Sequence, residues 1–397
     1  MRPTAPLFPR IPRRTFLRSS LAGTAALVSG GAPALDAWAR QPAARAGLAV
    51  PSVRGQGLPR TLREKVGQLF MVGFGGISPE PGFLSLLERY ALGGVILYAR
   101  NVGTTDQLRA LLAGLRQAAP FPLLVSTDQE GGRVARIRHA VTVFPSEAAY
   151  GVEGSAARVY DDAATTARDL RALGLTMNLA PVVDLLTNPR SPIGARSYGA
   201  DPRVAARLSV AAIQGYQQHG LAATAKHFIG LGHASIDSHH ALPTVTLTLD
   251  ELERDDLIPF RAAIAVGVST VLVAHVALPA IDPVYRPASL SPVVIEGLLR
   301  QRLGFTGVIM TDSLVMGALP AGHEAEAPER AFAAGADILL LGGDQANPAS
   351  VIDEAIERIV SSIQAGRIPE SRLEAAVARI TVLKGRYPAQ PAASAIG

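Results

Sequence analysis

A (β/α)8 barrel of the TIM type, built as a single domain, is the fold class the sequence predicts. Three observations predict it. Eight short, β-rich apolar runs recur between residues 69 and 342, segments with helical spacing separate them, and polar residues gather where the runs end. Strand–helix alternation over this length points to a parallel sheet wrapped by helices. An open doubly wound sheet is the competing layout. No G-x-G-x-x-G opens the first unit, which weakens a dinucleotide-binding version of it.

The chain begins with an address. Five arginines (Arg2, Arg10, Arg13, Arg14, Arg18) and one acid, Asp36, precede Arg40, so most of the formal charge of +5 sits there. "RRTFLR" at 13–18, a weakly apolar run and "AWA" at 37–39 have the form of a twin-arginine-type signal peptide over residues 1–39. Export to the periplasm or beyond is the expectation. The apolar run falls short of the ~20 residues a spanning helix needs, so no membrane association is expected once the leader is removed. Residues 40–59, rich in Pro and Gly, read as a linker, and 388–397 as a disordered tail.

The body, residues 60–387, carries the rhythm. The runs are "LFMVGF" (69–74), "GVILYA" (94–99), "LLVSTD" (123–128), "TMNLAP" (176–181), "ATAKHF" (223–228), "TVLVAHV" (270–276), "GVIMTD" (307–312) and "DILLLG" (337–342). Their near-continuous apolar character suits parallel strands buried on both faces. Between them, "TTDQLRALLAGLRQA" opens on a candidate N-cap at Thr104 or Thr105, and "SPVVIEGLLRQRL" on Ser291. Hydrophobic residues make up 48% of the 397, enough for a large core. The chain has no Cys, which excludes disulfides, thiol nucleophiles and Cys-based metal sites. No basic stripe with interleaved aromatics is present, so nucleic acid is not a partner class the sequence supports.

In such a barrel, chemistry sits where the strands end. Asp128 with Glu130, Asp184, Lys226 with His227, His275 and Asp312 close the runs or follow them. Each buried polar group left without a partner costs about 1–3 kcal/mol. Five such places on one rim therefore read as a site. "KHFIGLGHASIDSHHALP" (226–243) holds half of the chain's 8 His. One reading makes His227, His233, His239 and Asp237 metal ligands, though no HExxH spacing supports it. A second makes His233 and His240 structural, loop residues bonding to backbone. A third pairs Asp237 with His239 on a mobile loop, the carboxylate fixing the imidazole tautomer for acid/base work. Asp312, after a stiff apolar run, is either a nucleophile or the N-cap of the following helix.

These residues lie in a series of motifs: "STDQEGGRVARI" (126–137), "NLAPVVDL" (178–185), "IGARSYGADP" (193–202), "KHFIGLG", "DSHHALP", "AHVALPAID" (274–282), "PASLSP" (287–292) and "LGFTGVIMTDSLVMGAL" (303–319). In these motifs and their order the chain resembles glycoside hydrolase family 3, specifically its single-domain β-N-acetylglucosaminidases that act on peptidoglycan-derived sugars. The resemblance implies an exo-acting, retaining enzyme on peptidoglycan-derived or, for an exported copy, chitin-type oligosaccharides, with Asp312 as nucleophile, His239 as general acid/base and Asp237 as its partner. It implies sugar-binding roles for Asp128, Arg136, Arg196, Lys226 and His227. Arg136 is open to a second reading as a surface residue after a turn. Glu130 with Arg133 is expected as a structural pair at the Gly131–Gly132 turn, His275 as satisfied in the core, and Asp184 and Asp282 as loop-fixing groups.

The resemblance implies no metal or organic cofactor, a small carbohydrate (an N-acetylglucosaminide) as the only partner, and a monomer. Two positions depart from the family's "KHFPGHG": Ile229 and Leu231 replace Pro and His, which bears on loop motion. Asp312-Ser313 stands for the common Asp-Asp. No second sandwich domain is expected after the barrel. A phosphorylase or β-glucosidase of the same family, and a non-catalytic sugar-binding barrel, are the alternatives the residues leave open.

Overall fold

The computed structural model describes residues 57–319, 322–343 and 349–389. The leader at 1–39, nearly all of the linker at 40–59 and most of the tail lie outside the described residues. Every one of the eight apolar runs contributes a strand: β1 (Phe70–Gly73), β2 (Gly94–Leu97), β3 (Leu124–Thr127), β4 (Met177–Asn178), β5 (Ala222–Phe228), β6 (Thr270–Val273), β7 (Val308–Thr311) and β8 (Leu339–Leu341). All neighbours pair in parallel, in chain order, and β1 also pairs with β8. A parallel bridge between Met310 and Ile338 joins β7 to β8, so the sheet closes into a barrel.

Every residue of β1, β2, β3, β6, β7 and β8 is buried. Burying a Leu, Ile, Val or Phe stabilises by about 1.5–3 kcal/mol relative to exposure, and 15 of the 23 residues of these strands are of those types. Helices cover them. Thr104 caps the helix Thr105–Ala118 by accepting from the Gln107 N–H, which settles the choice between Thr104 and Thr105. Ser291 Oγ accepts from the Val294 N–H at the head of the segment Val293–Arg302. That segment winds with the wider π-type pattern.

The end of the barrel away from the site is held by charge. Asp337, wholly buried and just before β8, accepts from Arg300, Arg372, Arg379 and the Ile309 N–H. Among the described residues no helix is long and apolar enough to cross a membrane.

Candidate active site

The C-terminal ends of the strands open into a cavity of about 530 Å³. Asp128, Arg136, Arg196, Lys226, His227, Asp237, His239 and Asp312 all line it. The eight residues singled out in the sequence therefore meet in one place.

Lys226 and His227 are adjacent at the end of β5, yet both reach the cavity. A regular strand would send them to opposite faces. The ladder between β5 and β6 shifts register between Ala225 and Phe228, and that irregularity re-aims the pair. Lys226 Nζ lies 2.6 Å from Asp128 Oδ1 and 2.7 Å from Glu130 Oε1. Burial works against its charge, but Asp128 and Glu130 more than compensate, and its proton is held more tightly than usual.

Glu130 is the hub. Arg196 donates to it through Nε and Nη2, each at 2.8 Å. The Glu130 side chain is fully buried. Burial pushes its carboxyl up, and Arg196 with Lys226 overcome this and hold it far below the usual carboxylate range. The expected Glu130–Arg133 pair is not formed. Arg133 donates instead to the Pro192 carbonyl, because Arg196 and Lys226 reach the Glu130 carboxylate from inside the barrel. A short hairpin, Gln129–Gly131 with Val134–Ala135, delivers Glu130. Gly131 sits at φ 111°, and a Cβ there would stand 2.4 Å from the Pro145 carbonyl oxygen. Only glycine fits that turn.

His227 is fixed by Asp184, whose Oδ2 accepts from both the His227 N–H and Nδ1–H at 2.8 Å. A carboxylate can only accept, so Nδ1 carries the proton. Nε2 then faces Arg196 Nη2 at 3.3 Å as an acceptor. Asp184 thus orients a ring in the site, beyond the loop-fixing role the sequence suggested. Asp282 does fix its loop, accepting from Arg286, Ser291 and the Val284 N–H. Arg136 approaches Asp128 only to 3.9 Å, the loosest contact of the set.

Asp312 follows β7 directly, and no helix starts there; the next one among the described residues is Glu326–Ala334. The N-cap alternative therefore falls. Its backbone is tied to Val273, and its Oδ1 accepts from the Ser313 N–H at 2.8 Å. Burial raises its carboxyl, but His275, His227, the Ser313 N–H and His239 bring it below the ordinary aspartate value. It stays an anion. His275 is satisfied in the core, between Ser289 Oγ and the Ser313 carbonyl.

Asp237 and His239 pair as their spacing suggested. Asp237 Oδ1 accepts from the His239 N–H at 2.9 Å and from Nδ1 at 2.7 Å. Despite some desolvation, those two bonds hold the Asp237 carboxyl below its usual value. Nδ1 is again the protonated nitrogen, and Nε2 is left for chemistry. The metal alternative does not survive the geometry. His227 goes to Asp184, His233 to Asp256 and His239 to Asp237, three separate pairs. His233 is structural as expected, but through the Asp256 carboxylate and not through backbone.

Tyr98 and Met316 also line the cavity. Neither carried a signal in the sequence, since each lies inside an ordinary apolar segment. Glu130 and Asp184 were visible as polar groups at strand ends. What could not be seen was their partners, which lie 66 and 43 residues away.

A closed parallel barrel with ionised groups and a carboxylate–imidazole pair around one cavity at its C-terminal rim defines an acid–base barrel of the enzyme kind. The model of the glycosyl hydrolase family 3 N-terminal domain matches residues 61–383, and the chain belongs to that family. It is 37% identical over 306 residues to a β-hexosaminidase of Pseudomonas aeruginosa, covering 77% of this chain and 89% of that one. It is 34% identical over 343 residues to β-hexosaminidase A of Pseudoalteromonas piscicida, covering 80% of this chain and 57% of that one. A solved family 3 β-N-acetylglucosaminidase from Paenibacillus sp. str. FPU-7 superposes with a TM-score of 0.79 at 43% identity, over 83% of this chain and 63% of that one. The β-N-acetylhexosaminidase of Beutenbergia cavernae gives 0.76 at 30% identity, over 83% of this chain and 100% of that one. The chain thus spans less than two thirds of the Pseudoalteromonas and Paenibacillus proteins.

Proposed function

We propose that the chain is an exported, retaining exo-β-N-acetylhexosaminidase that releases terminal N-acetylglucosamine from peptidoglycan-derived oligosaccharides. One observation carries this reading: an ionised aspartate and an Asp–His pair with a free Nε2 line the same cavity. Relatives named β-hexosaminidase support the sugar. The twin-arginine-type leader supports export, and outside the cytoplasm an enzyme of this kind meets wall-derived fragments and chitin-type oligosaccharides.

In the first step an Asp312 carboxylate oxygen attacks the anomeric carbon. The bond to the leaving oxygen breaks, its electron pair stays on that oxygen, and His239 Nε2–H supplies the proton. Asp237 stabilises the imidazolium that donates. In the second step water attacks the same carbon, Nε2 takes the water proton, and the ester electrons return to Asp312. Asp128, held by Lys226, accepts from sugar hydroxyls, while Lys226 and Arg196, the latter fixed by Glu130, donate.

The test is hydrolysis of 4-nitrophenyl N-acetyl-β-glucosaminide, followed by side-by-side digestion of wall fragments and chitooligosaccharides, with and without phosphate. Free N-acetylglucosamine from the wall fragments is the expected product. Sugar 1-phosphate formed in phosphate would replace the hydrolase with a phosphorylase. No turnover by the intact chain would remove the enzyme.

A further inference from the structure

The loop that carries His239 is tied to the segment that carries Asp312. The Asp237 carbonyl closes a turn by accepting from the His240 and Ala241 N–H groups at 3.0 and 3.2 Å. The next two carbonyls of that turn are also paired. The Ser238 carbonyl accepts from the Ala318 N–H at 2.9 Å, and the His239 carbonyl from the Gly317 N–H at 3.2 Å. Gly317 and Ala318 lie on the same loop as Asp312, only a few residues beyond it.

The side chain missing at Gly317 is what permits this contact. Its φ is not in the left-handed region, so backbone freedom is not the reason for glycine there. Space is. A Cβ at 317 would stand 2.6 Å from the His239 carbonyl oxygen and 3.0 Å from that of His240. Both obstacles are backbone atoms, which cannot swing aside as a side-chain tip would. Any residue larger than glycine must push the His239 turn outward or withdraw its own loop. The His239 side chain is 64% exposed and bonded to Asp237, which rides on the same turn. It has little packing of its own to resist that push.

We propose that Gly317, with the Ala318 N–H, is a latch that positions the His239 turn over Asp312, and that the latch and not packing of the imidazole sets the acid/base geometry. This rests on the acid/base role given to His239 above. Gly317 touches no reacting atom; it is a positioning residue. Asp312 is anchored separately, its N–H to the Val273 carbonyl and its Oδ1 to the Ser313 N–H, so strain at 317 falls on the residues beyond it and on the His239 turn, and displaces the proton-transfer group.

The experiment uses the full chain with Gly317→Ala, and Ala318→Pro as a second variant that removes one latch bond without adding bulk at 317. Two substrates are compared in the same preparation. 2,4-Dinitrophenyl N-acetyl-β-glucosaminide has a leaving group that needs no proton; N,N′-diacetylchitobiose has one that does. The expected result is a kcat/KM on chitobiose lowered on the order of 10²-fold, within the range that proton transfer supplies, while that on the dinitrophenyl substrate falls by no more than about threefold. Azide, a nucleophile that needs no base, should raise kcat of the variants on the dinitrophenyl substrate and leave the parent chain unchanged. Because the readout is a ratio within one sample, partial loss of folded protein cancels.

Equal losses on both substrates, or no loss on either, would overturn the latch. His239→Ala separates the two ideas. If that variant discriminates between the substrates and the latch variants do not, only the latch fails. If His239→Ala itself shows no discrimination, the acid/base assignment fails with it.

Discussion

Replacing Glu130 by Gln removes one charge from a buried set that is balanced. Arg196 and Lys226 supply the positive charges, Glu130 and Asp128 the negative ones, with contacts of 2.6–2.8 Å throughout. The amide keeps the shape and loses the charge. Deleting one partner of a buried ion pair costs about 3–5 kcal/mol, because the remaining charge is left uncompensated. A domain of roughly 330 residues has an unfolding entropy near 0.7 kcal/mol/K, so the melting temperature should fall by about 4–7 °C. The sign with pH is also fixed. The Glu130 carboxyl is depressed in the folded state, so its contribution is complete at neutral pH and is lost as pH falls below the carboxylate range. The deficit of the variant therefore shrinks as the pH is lowered through and below about 4, the usual glutamate range. A neighbour adds a sharper test. Glu147 is buried and held protonated, first by burial and then by Glu130. Glu130→Gln removes the second of these causes and leaves the first, so the Glu147 proton is held less tightly. Glu147→Gln alone should be nearly silent, whereas the same change on top of Glu130→Gln should cost measurably more. Thermal unfolding followed by circular dichroism, for the parent, both single variants and the double, reads all of this. A melting temperature unmoved in Glu130→Gln, or a Glu147 effect identical with and without that substitution, would refute the charge-balance argument.

Asp312 and Asp237 are both held below their ordinary values, so kcat/KM should retain its acid limb below about pH 4, the usual aspartate range; a limb at about pH 5 or above would contradict this. Asp237→Asn leaves His239 a neutral partner for Nδ1 and withdraws the charge that stabilises imidazolium. It should cut kcat/KM on chitobiose on the order of 10²-fold while sparing activated leaving groups, as initial rates on the two substrates would show. At the opposite end of the barrel, burial holds the Lys384 ammonium down to about 7, where Nζ donates to Gln68. The unfolded chain binds that proton up to its ordinary value, so between about pH 7 and 10 the parent should gain stability relative to Lys384→Met by up to about 1.4 kcal/mol per pH unit. Urea unfolding of both across that window tests it, and a difference constant with pH would refute it.

The fold was legible almost element by element, for a physical reason. Strands buried on both faces must be apolar, as in "TVLVAHV" and "DILLLG", and each carries its signal within a few residues. Thr104 and Ser291 were equally local, because a cap bonds only to the turn that follows it. The Asp–His pair was legible because Asp237 and His239 are two residues apart. Glu130 was misread for the opposite reason. Its neighbour in sequence, Arg133, is near enough to suggest a pair, whereas its real partners, Arg196 and Lys226, arrive from segments far along the chain. Asp184 and His227 hid in the same way. The latch at Gly317 could not be read at all, since a glycine with ordinary backbone angles shows its purpose only when the opposing carbonyl is in view.

Trapping the covalent intermediate tests the central claim most directly. The chain is incubated with a 5-fluoro N-acetyl-β-glucosaminyl fluoride, digested with pepsin, and the labelled peptide is sequenced by mass spectrometry. One fluorinated sugar esterified to Asp312 is the predicted result. A label on another carboxylate, or turnover without any trapped ester, would contradict it.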